Sequence, residues 1–575
     1  MPDSDAQRPP PGEAYLRELE EQLLAEFGER NARIERLRRL RHMETPVDIP
    51  PAYRTSAREV RTPLAREQLK RVIGSLTANR PLVHVPPAEP TEAARAGADL
   101  RARWTNAALR RMDSEAARDV FGMLIDAMVA DGAGVLKLLY APDRWAGYPR
   151  RSAHSDQSAD AFLQRAERFK KSARFPLAWR DVDVTTFYPL EGEDGLEACL
   201  EIAERPRHLV QRRYGLITDK RSGHLVPPGG DPVGAPLVGA QSGPAEAPNA
   251  APRATARVVE YWDDEYFAYL VDGHLVRRGR HGYGAIPYVH AYGDQTPSRD
   301  PAKAGVSMLA SMEYLVPLLD QLLTMKQNAL FLYAYPTPKI TNFTPIDPSL
   351  SNDGRPRALD FQPGQILPLY AGEDLTFLQW QGTPPDLDEL IAQTRAMIDQ
   401  AGAPSVLFGV PPDGNASGYL LNQLINTARV SFQQVARHAE QALERVVQLM
   451  WRLVETRIGE TVFVFEAEDD HGWIGLGPRD IDGYHAVRVR LDPLGPADDV
   501  AQGTLAASLV GARLASRRWA MREKLGIEDA ETVEDEILLD ELIDAPEVRT
   551  AIAREALAQA GLRPTPATEA SNAGA

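Results

Sequence analysis

Residues 304–332, AGVSMLASMEYLVPLLDQLLTMKQNALFL, place Val306, Leu309, Met312, Leu315, Leu319, Leu322, Met325 and Leu330 at three- and four-residue spacings. That is the period of an amphipathic helix, and it predicts one helix over the whole stretch, on the order of 40 Å long at ~1.5 Å per residue. Pro317 is expected to kink this helix rather than end it, because the apolar period continues beyond. Residues 333–384 read as strands and turns, and a shorter helix is expected over 386–401. A breaker-rich segment follows, GAPSVLFGVPPDGNASG over 402–418. From it runs one very long helical pattern, 419–458, with no Pro or Gly. Its apolar stripe is Leu421, Leu424, Ile425, Ala428, Phe432, Val435, Ala439, Leu443, Val446, Met450 and Leu453.

The order of these pieces is helix, small β insertion, helix, apolar Pro/Gly loop, very long helix. With GAIPYVH (284–290) and KAGVSML (303–309) around the start of the first helix and VLFGVPP (406–412) before the long one, the chain resembles the portal proteins of tailed bacteriophages, the head-to-tail connectors. VRTPLAR (60–66) resembles the early wing of that family. The resemblance spans residues 55–490 and rests on order and spacing, since no single piece is a strict signature. It implies a mainly α subunit with an α+β wing, a stem, a clip and a C-terminal helical crown, assembling into a ring.

Carried onto this sequence, the resemblance divides it into a helical arm (1–54, with a disordered start) and a wing (55–303, with a flexible insertion at 226–253). Then come a stem helix (304–332), a clip (333–384), a second stem helix (385–401), a channel loop (402–418), the long helix with further wing strands (419–496), crown helices (497–560) and a disordered tail (561–575). It further implies a ring of twelve copies at one capsid vertex of a virion, assembled in the host cytoplasm. Double-stranded DNA would be packaged and ejected through its channel. Expected partners are the large terminase subunit, a head-tail adaptor, and the major capsid and scaffolding proteins.

In the channel loop, which includes Pro411 and Pro412, Val406, Leu407, Phe408 and Val410 would let neighbouring loops pack. Gly402, Gly409, Gly414 and Gly418 would act as hinges. Asp413 and Asn415 are candidates for the tip, and Lys326 and Lys339 for transient phosphate contacts. The proline-segmented clip has candidate strands at 339–342, 365–369 and 375–379, whose edges would suit pairing between chains.

Composition bounds the alternatives. A chain of 575 residues exceeds one hydrophobic core. With 43% hydrophobic and 25% charged residues, most of it should fold. Cys199 is the single cysteine, which rules out an internal disulfide framework; between Ala198 and Leu200 it reads as a small core residue. No charged-then-apolar leader opens the sequence, and no apolar run reaches the ~18 residues of a bilayer span, so neither export nor a membrane partner is expected. A net charge of −16 argues against gripping nucleic acid over a broad surface. In a channel, repulsion would let DNA slide.

Elsewhere the pattern predicts a helix over 13–43 with a basic second half (Arg30, Arg33, Arg36, Arg38, Arg39, Arg41). Those arginines suit a helix C-terminus; a DNA- or partner-facing patch is the alternative. Helices are expected over 62–76, 91–111, 114–130 and 159–170, and strands over 82–85, 135–140, 179–184, 196–203 and 257–262. Asp272-Gly273 between 265–271 and 274–278 predicts a β-hairpin. Strands are expected at 461–466 and 485–491, and short helices over 498–560.

The search for chemistry is mostly negative. There is no G-x-x-x-x-G-K-[ST] loop, no H-E-x-x-H, no paired Cys ligands and no G-x-S-x-G elbow, so neither cofactor, metal nor catalytic residue is expected. The rival readings are a nuclease holding Mg²⁺ with Glu466, Glu468, Asp469, Asp470 and His471, and a helical scaffold or adaptor that does not handle DNA.

Overall fold

The structure is a computed structural model. It describes residues 9–51, 54, 57–149, 159–193, 195–218, 224–227, 254–298, 300–334, 338–343, 369, 371–377, 385–402, 432–466, 472–491, 496–523, 525, 533–534 and 537–539. The architecture is a mixture of helix and sheet, divided into two compact units, Met1–Asp492 and Pro493–Ala575.

The first unit opens with α1 (Glu13–Glu26) and α2 (Gly28–Arg41), followed by α3 (Leu64–Leu76), β1 (Leu82–His84), α4 (Glu92–Ala116), α5 (Val120–Ala130) and β2 (Ala133–Tyr140). Next come α6 (Ala159–Ser172), β3 (Leu177–Val182), β4 (Phe187–Gly192), β5 (Gly195–Pro206), α7 (Arg207–Tyr214), β6 (Ile217–Thr218), β7 (Leu225–Val226), β8 (Thr255–Asp263), β9 (Tyr266–Val271), β10 (His274–Arg280) and β11 (Tyr288–Tyr292). Beyond them lie β12 (Asp294–Gln295), the single turn α8 (Pro301–Ala304), β13 (Gly305–Val306), α9 (Leu315–Ala334), β14 (Pro338–Thr341), β15 (Asp374–Phe377), α10 (Pro385–Ala401) and α11 (Gln433–Leu453). The unit closes with β16 (Val462–Glu466), β17 (Gly472–Leu476), the turn α12 (Pro478–Ile481) and β18 (Arg488–Arg490).

Two antiparallel sheets frame this unit, one of five strands in the order β10-β9-β8-β5-β4 and one of three in the order β11-β2-β3. The hairpin expected at Asp272-Gly273 is present. Val271 pairs with His274, and both turn residues are left-handed, at φ 50° and 80°, as a tight two-residue turn demands. On one face of the larger sheet, Leu16, Leu19, Leu23 and Phe27 pack against Tyr188, Leu200, Tyr261 and Leu270. On the other, Trp262, Phe267 and Tyr269 join the main core with the long helix α11.

The arm is two helices rather than one. At Phe27 the backbone leaves the helix (φ −90°, ψ 3°) so that its ring can bury edge-on to Tyr188 at 5.7 Å, and Gly28 begins the second segment. The first helix of the decisive stretch also starts later than its periodicity implies. After α8 and β13, a 3₁₀ segment (Met308–Met312) precedes α9, which begins at Leu315. Pro317 therefore lies in the first turn, where a missing N–H costs nothing, and the kink expected there is not needed. Apolar residues at 306–312 are core residues of a non-helical entry. Of the long helix, the described part confirms the stripe from Val435 to Leu453; residues 419–431 lie outside the described residues.

Three glycines allow the entry segment to cross the α5–β2 turn. A Cβ on Gly293 would sit 2.0 Å from the carbonyl oxygen of Met128, and one on Gly305 would sit 2.6 Å from that of Gly132, itself at φ +88°. Ser307 locks the crossing by donating from Oγ to the Ala130 carbonyl, and His438 of α11 lies 3.0 Å from the Tyr292 carbonyl. The Cys199 side chain is fully buried, as a core residue should be, and burial pushes its thiol pKa up.

In the second unit, α13 (Pro496–Gly511) and α14 (Arg517–Glu523) are described, with Ala506 and Ala520 buried. Gly293→Ala is expected to destabilise the protein by about 2 kcal/mol or more, because backbone is what it would strike. Gly97→Ala, on α4 with nothing within 4 Å of the new Cβ, should stabilise by roughly 0.5–1 kcal/mol. Thermal unfolding of both variants beside the parent checks the pair.

Candidate functional site

The feature that stands apart from the core is the hairpin of α9 and α10 with β14 and β15 paired at its far end. Along α9, burial stops halfway. Val316, Leu319, Asp320, Leu322 and Thr324 are buried, yet from Met325 to Ala334 no described side chain is. Large apolar groups nevertheless continue: Met325 is 53% exposed, Leu330 51%, Phe331 44% and Tyr333 65%. Among the described side chains of α10, Ile391, Thr394 and Ile398 are buried, one narrow stripe, while Leu390 and Met397 stand out to solvent. A helix pair this apolar and this exposed among the described residues is a surface suited to association.

From Asp320 to Asn328, α9 is also held by polar bonds. Asp320, Thr324 and Asn328, one turn apart on one face, bind the extended backbone of residues 58–62. Asp320 accepts from the Thr62 N–H (2.9 Å) and hydroxyl (2.7 Å), and Thr324 Oγ1 accepts from the Val60 N–H (2.9 Å). Asn328 accepts from the Arg58 N–H (2.9 Å) and donates to its carbonyl (3.2 Å). The registers match because four helical residues rise ~6 Å while two extended residues span ~6.6 Å. Gln321 makes the same double bond to Asp48. Burial raises the pKa of Asp320, and the Thr62 bonds pull it part of the way back.

Five of the six arginines in the arm's row, Arg30, Arg33, Arg36, Arg38 and Arg41, bind within the chain. Arg41 binds Asp126 through two 2.7 Å bonds, Arg38 binds Asp131 and Asp183, and Arg36 reaches Glu313 at 3.0 Å. Arg30 donates to the carbonyls of Val184 and Phe187, and its burial lowers its pKa to about 10. These side chains tie α2 to the sheet turn and to the entry of α9, so the expected C-terminal dipole role is joined by specific pairing that spacing could not reveal.

Of the residues singled out from the sequence, Val406, Leu407, Phe408, Gly409, Val410, Pro411, Pro412, Asp413, Gly414, Asn415 and Gly418 lie outside the described residues, as does the candidate strand at 365–368. Gly402 is described: it closes α10 through its N–H to the Ile398 carbonyl (2.9 Å), and a Cβ there would come within 3.1 Å of the Gln68 side chain. Close packing on α3 is thus a reason for a small residue at this position. Lys326 is paired with Asp388 across the helix hairpin, and Lys339 is exposed on β14 opposite Thr376. The other two candidate clip strands are present as a pair, with Thr341 opposite Asp374.

Glu466, the first carboxylate of the nuclease reading, is buried and held by Arg103 (2.6 Å), an ordinary ion pair at the end of β16. Residues 467–471 lie outside the described residues. Among the described residues no group of three or more His, Cys, Asp or Glu is placed to hold a metal, and no helix is long and apolar enough to cross a membrane.

No family model and no curated protein matches the sequence. Among the solved structures similar to it at low level are the virion of a native gene transfer agent particle, at 13% identity, and the neck of an empty gene transfer agent particle computed with C6 symmetry, at 14%. Each similarity covers 81% of this chain and 90% of the other, with a TM-score of 0.37. Likeness of that degree says nothing about what this chain does.

Asp320→Ala leaves the Thr62 N–H and hydroxyl without their acceptor and should cost about 1–3 kcal/mol locally. Hydrogen exchange is expected to quicken at Val60 and Thr62 while amides of the β8–β9 pair keep their protection.

Proposed function

We propose that this chain is the subunit of a closed ring of portal type, in which the α9–α10 hairpins of successive copies wall a channel for double-stranded DNA. The observation that carries the reading is the far half of α9. It presents Met325, Leu330 and Tyr333 to solvent, with Phe331 half-exposed under the Arg58 guanidinium. A neighbouring copy offers a covering that fits, because a head-to-tail contact repeated around an axis buries the same face on every subunit and closes without loose ends.

The succession of parts supports the same reading. A wing of two sheets precedes the hairpin, a small two-stranded tip divides it, and a long helix returns to the wing core. The loop 402–418 joins the second stem helix to that long helix, which is where a constriction would be built. There its apolar residues would pack between copies, and Asp413 and Asn415 would face phosphate without gripping it. The net charge of −16 suits a conduit better than a clamp. Twelve copies, one capsid vertex, and docking of terminase and adaptor at the β14–β15 tip complete the proposal.

The nuclease reading loses its first carboxylate to Arg103. It requires Mg²⁺-dependent cleavage of DNA by the purified protein, and we expect none.

Two variants test the ring. Leu330→Glu with Phe331→Glu should move the sedimenting species from an assembly toward the 63.4 kDa monomer while leaving the circular dichroism of the wing intact. Unchanged assembly would remove the support this surface gives. In an infection or packaging assay, Phe408→Ser with Val410→Ser should permit ring formation but lower packaged DNA at least several-fold; full packaging would count against a loop in the channel.

A further inference from the structure

The wing core contains a fully buried lysine, Lys137 of β2, whose ammonium donates to Glu201 (3.0 Å) and Glu260. Both carboxylates are almost completely buried, and both have pKa values below the usual range. Burial alone would raise them, but the surrounding cations outweigh it, Lys137 first. Their oxygens are well supplied. Glu201 also accepts from the Tyr288 hydroxyl (2.7 Å), Arg180 (2.8 Å to each oxygen) and Arg205 (2.7 Å), and Glu260 accepts from the Tyr214 hydroxyl (2.7 Å).

Cations outnumber anions here. Around two carboxylates stand Lys137, Arg180, Arg205 and Arg213, a local excess of two positive charges. Three of them converge: Arg180 and Arg205 share Glu201 Oε1, while Arg205 and Arg213 each bring an Nη2 to 4.0 Å from Glu260 Oε1. All three leave a buried Nε without a hydrogen-bond partner. Among the described residues Arg213 donates no hydrogen bond; its contact with Glu260 is the 4.0 Å ion pair. The acceptors are spent before the donors are. Yet the side chains keep 33%, 22% and 28% of their surface exposed, so each borders solvent.

We infer that Arg180, Arg205 and Arg213 form a binding site for a small multivalent oxyanion of the phosphate type, outside the stem and independent of the ring. A planar guanidinium offers parallel N–H groups matched to two oxygens of such an anion, and adjoining forks can share a tetrahedral one. A divalent charge balances the local excess. Arg213 reaches the site from α7, Arg205 from the end of β5 and Arg180 from β3, so the anion would pin the α7 segment to the two sheets.

The test is thermal unfolding of the full chain in chloride buffer, with inorganic phosphate added up to ~10 mM at constant ionic strength. That is low enough that general salting effects, which strengthen burial in any protein, stay small. The parent midpoint should rise by roughly 2–4 °C, the linkage expected of a ligand that binds only the folded state. Arg213→Gln should be at least as stable as the parent in chloride, since it relieves unbalanced charge, and should lose more than half of the phosphate response. Arg213→Lys, which keeps the charge but not the fork, should lose part of it. Equal shifts in parent and Arg213→Gln, or no shift in the parent, would overturn the site. A short DNA duplex that stabilises through Arg213 where inorganic phosphate does not would overturn the small-anion assignment.

Discussion

A helix takes its direction from the stretch of chain that binds along it. In α9 that chain is the extended segment 58–62, and the match between one helical turn and two extended residues places Asp320, Thr324 and Asn328 opposite Thr62, Val60 and Arg58. Arg58 meets the helix at Asn328, past its midpoint, and lies over the Phe331 ring, while Met325, Leu330 and Tyr333 remain exposed. The anchored stretch fixes the direction of the hairpin.

The rest of the first unit makes that anchor stiff. The entry to α9 threads between the α5–β2 turn and the long helix α11 at three glycines whose backbones nearly touch their neighbours, and Ser307 ties it there. The arm adds ionic ties. Arg36 and Arg33 meet Glu313 just before α9, and Arg38 and Arg41 hold the α5 end and its turn. Partly exposed pairs of this kind contribute little individually. Their value is positional, because several of them over-determine the orientation of one short entry segment.

Much of this was legible in the residues. The Asp272-Gly273 turn requires two left-handed residues and admits only one hairpin geometry, so it could be read locally. The α11 stripe could be read because Val435, Ala439, Leu443, Val446 and Met450 face one core. The start of α9 could not: Val306, Leu309 and Met312 keep a helical period while lying on a bridge and a 3₁₀ turn, where burial rather than periodicity selects apolar side chains. Strands β4, β11 and β17 were missed for a related reason, being short and paired with partners distant in the chain or bent by proline and glycine. Ion pairs such as Arg103 with Glu466, and the charge cluster at Lys137, join residues hundreds or scores of positions apart, and no local pattern announces them. The residues with the most pointed functional expectation, 406–415, lie outside the described residues, so the role proposed for them rests on the segments that flank them.

The proposed channel requires that copies of the chain surround an axis with the α9–α10 hairpins inward. Electron-microscopic imaging of the purified protein, carried to a resolution at which helices are traced, measures this directly. The expected result is a closed ring whose central opening admits duplex DNA, walled by α9 and α10 and narrowed at residues 402–418. A compact monomer at every concentration, or a ring that carries 402–418 on its outer rim, would contradict it.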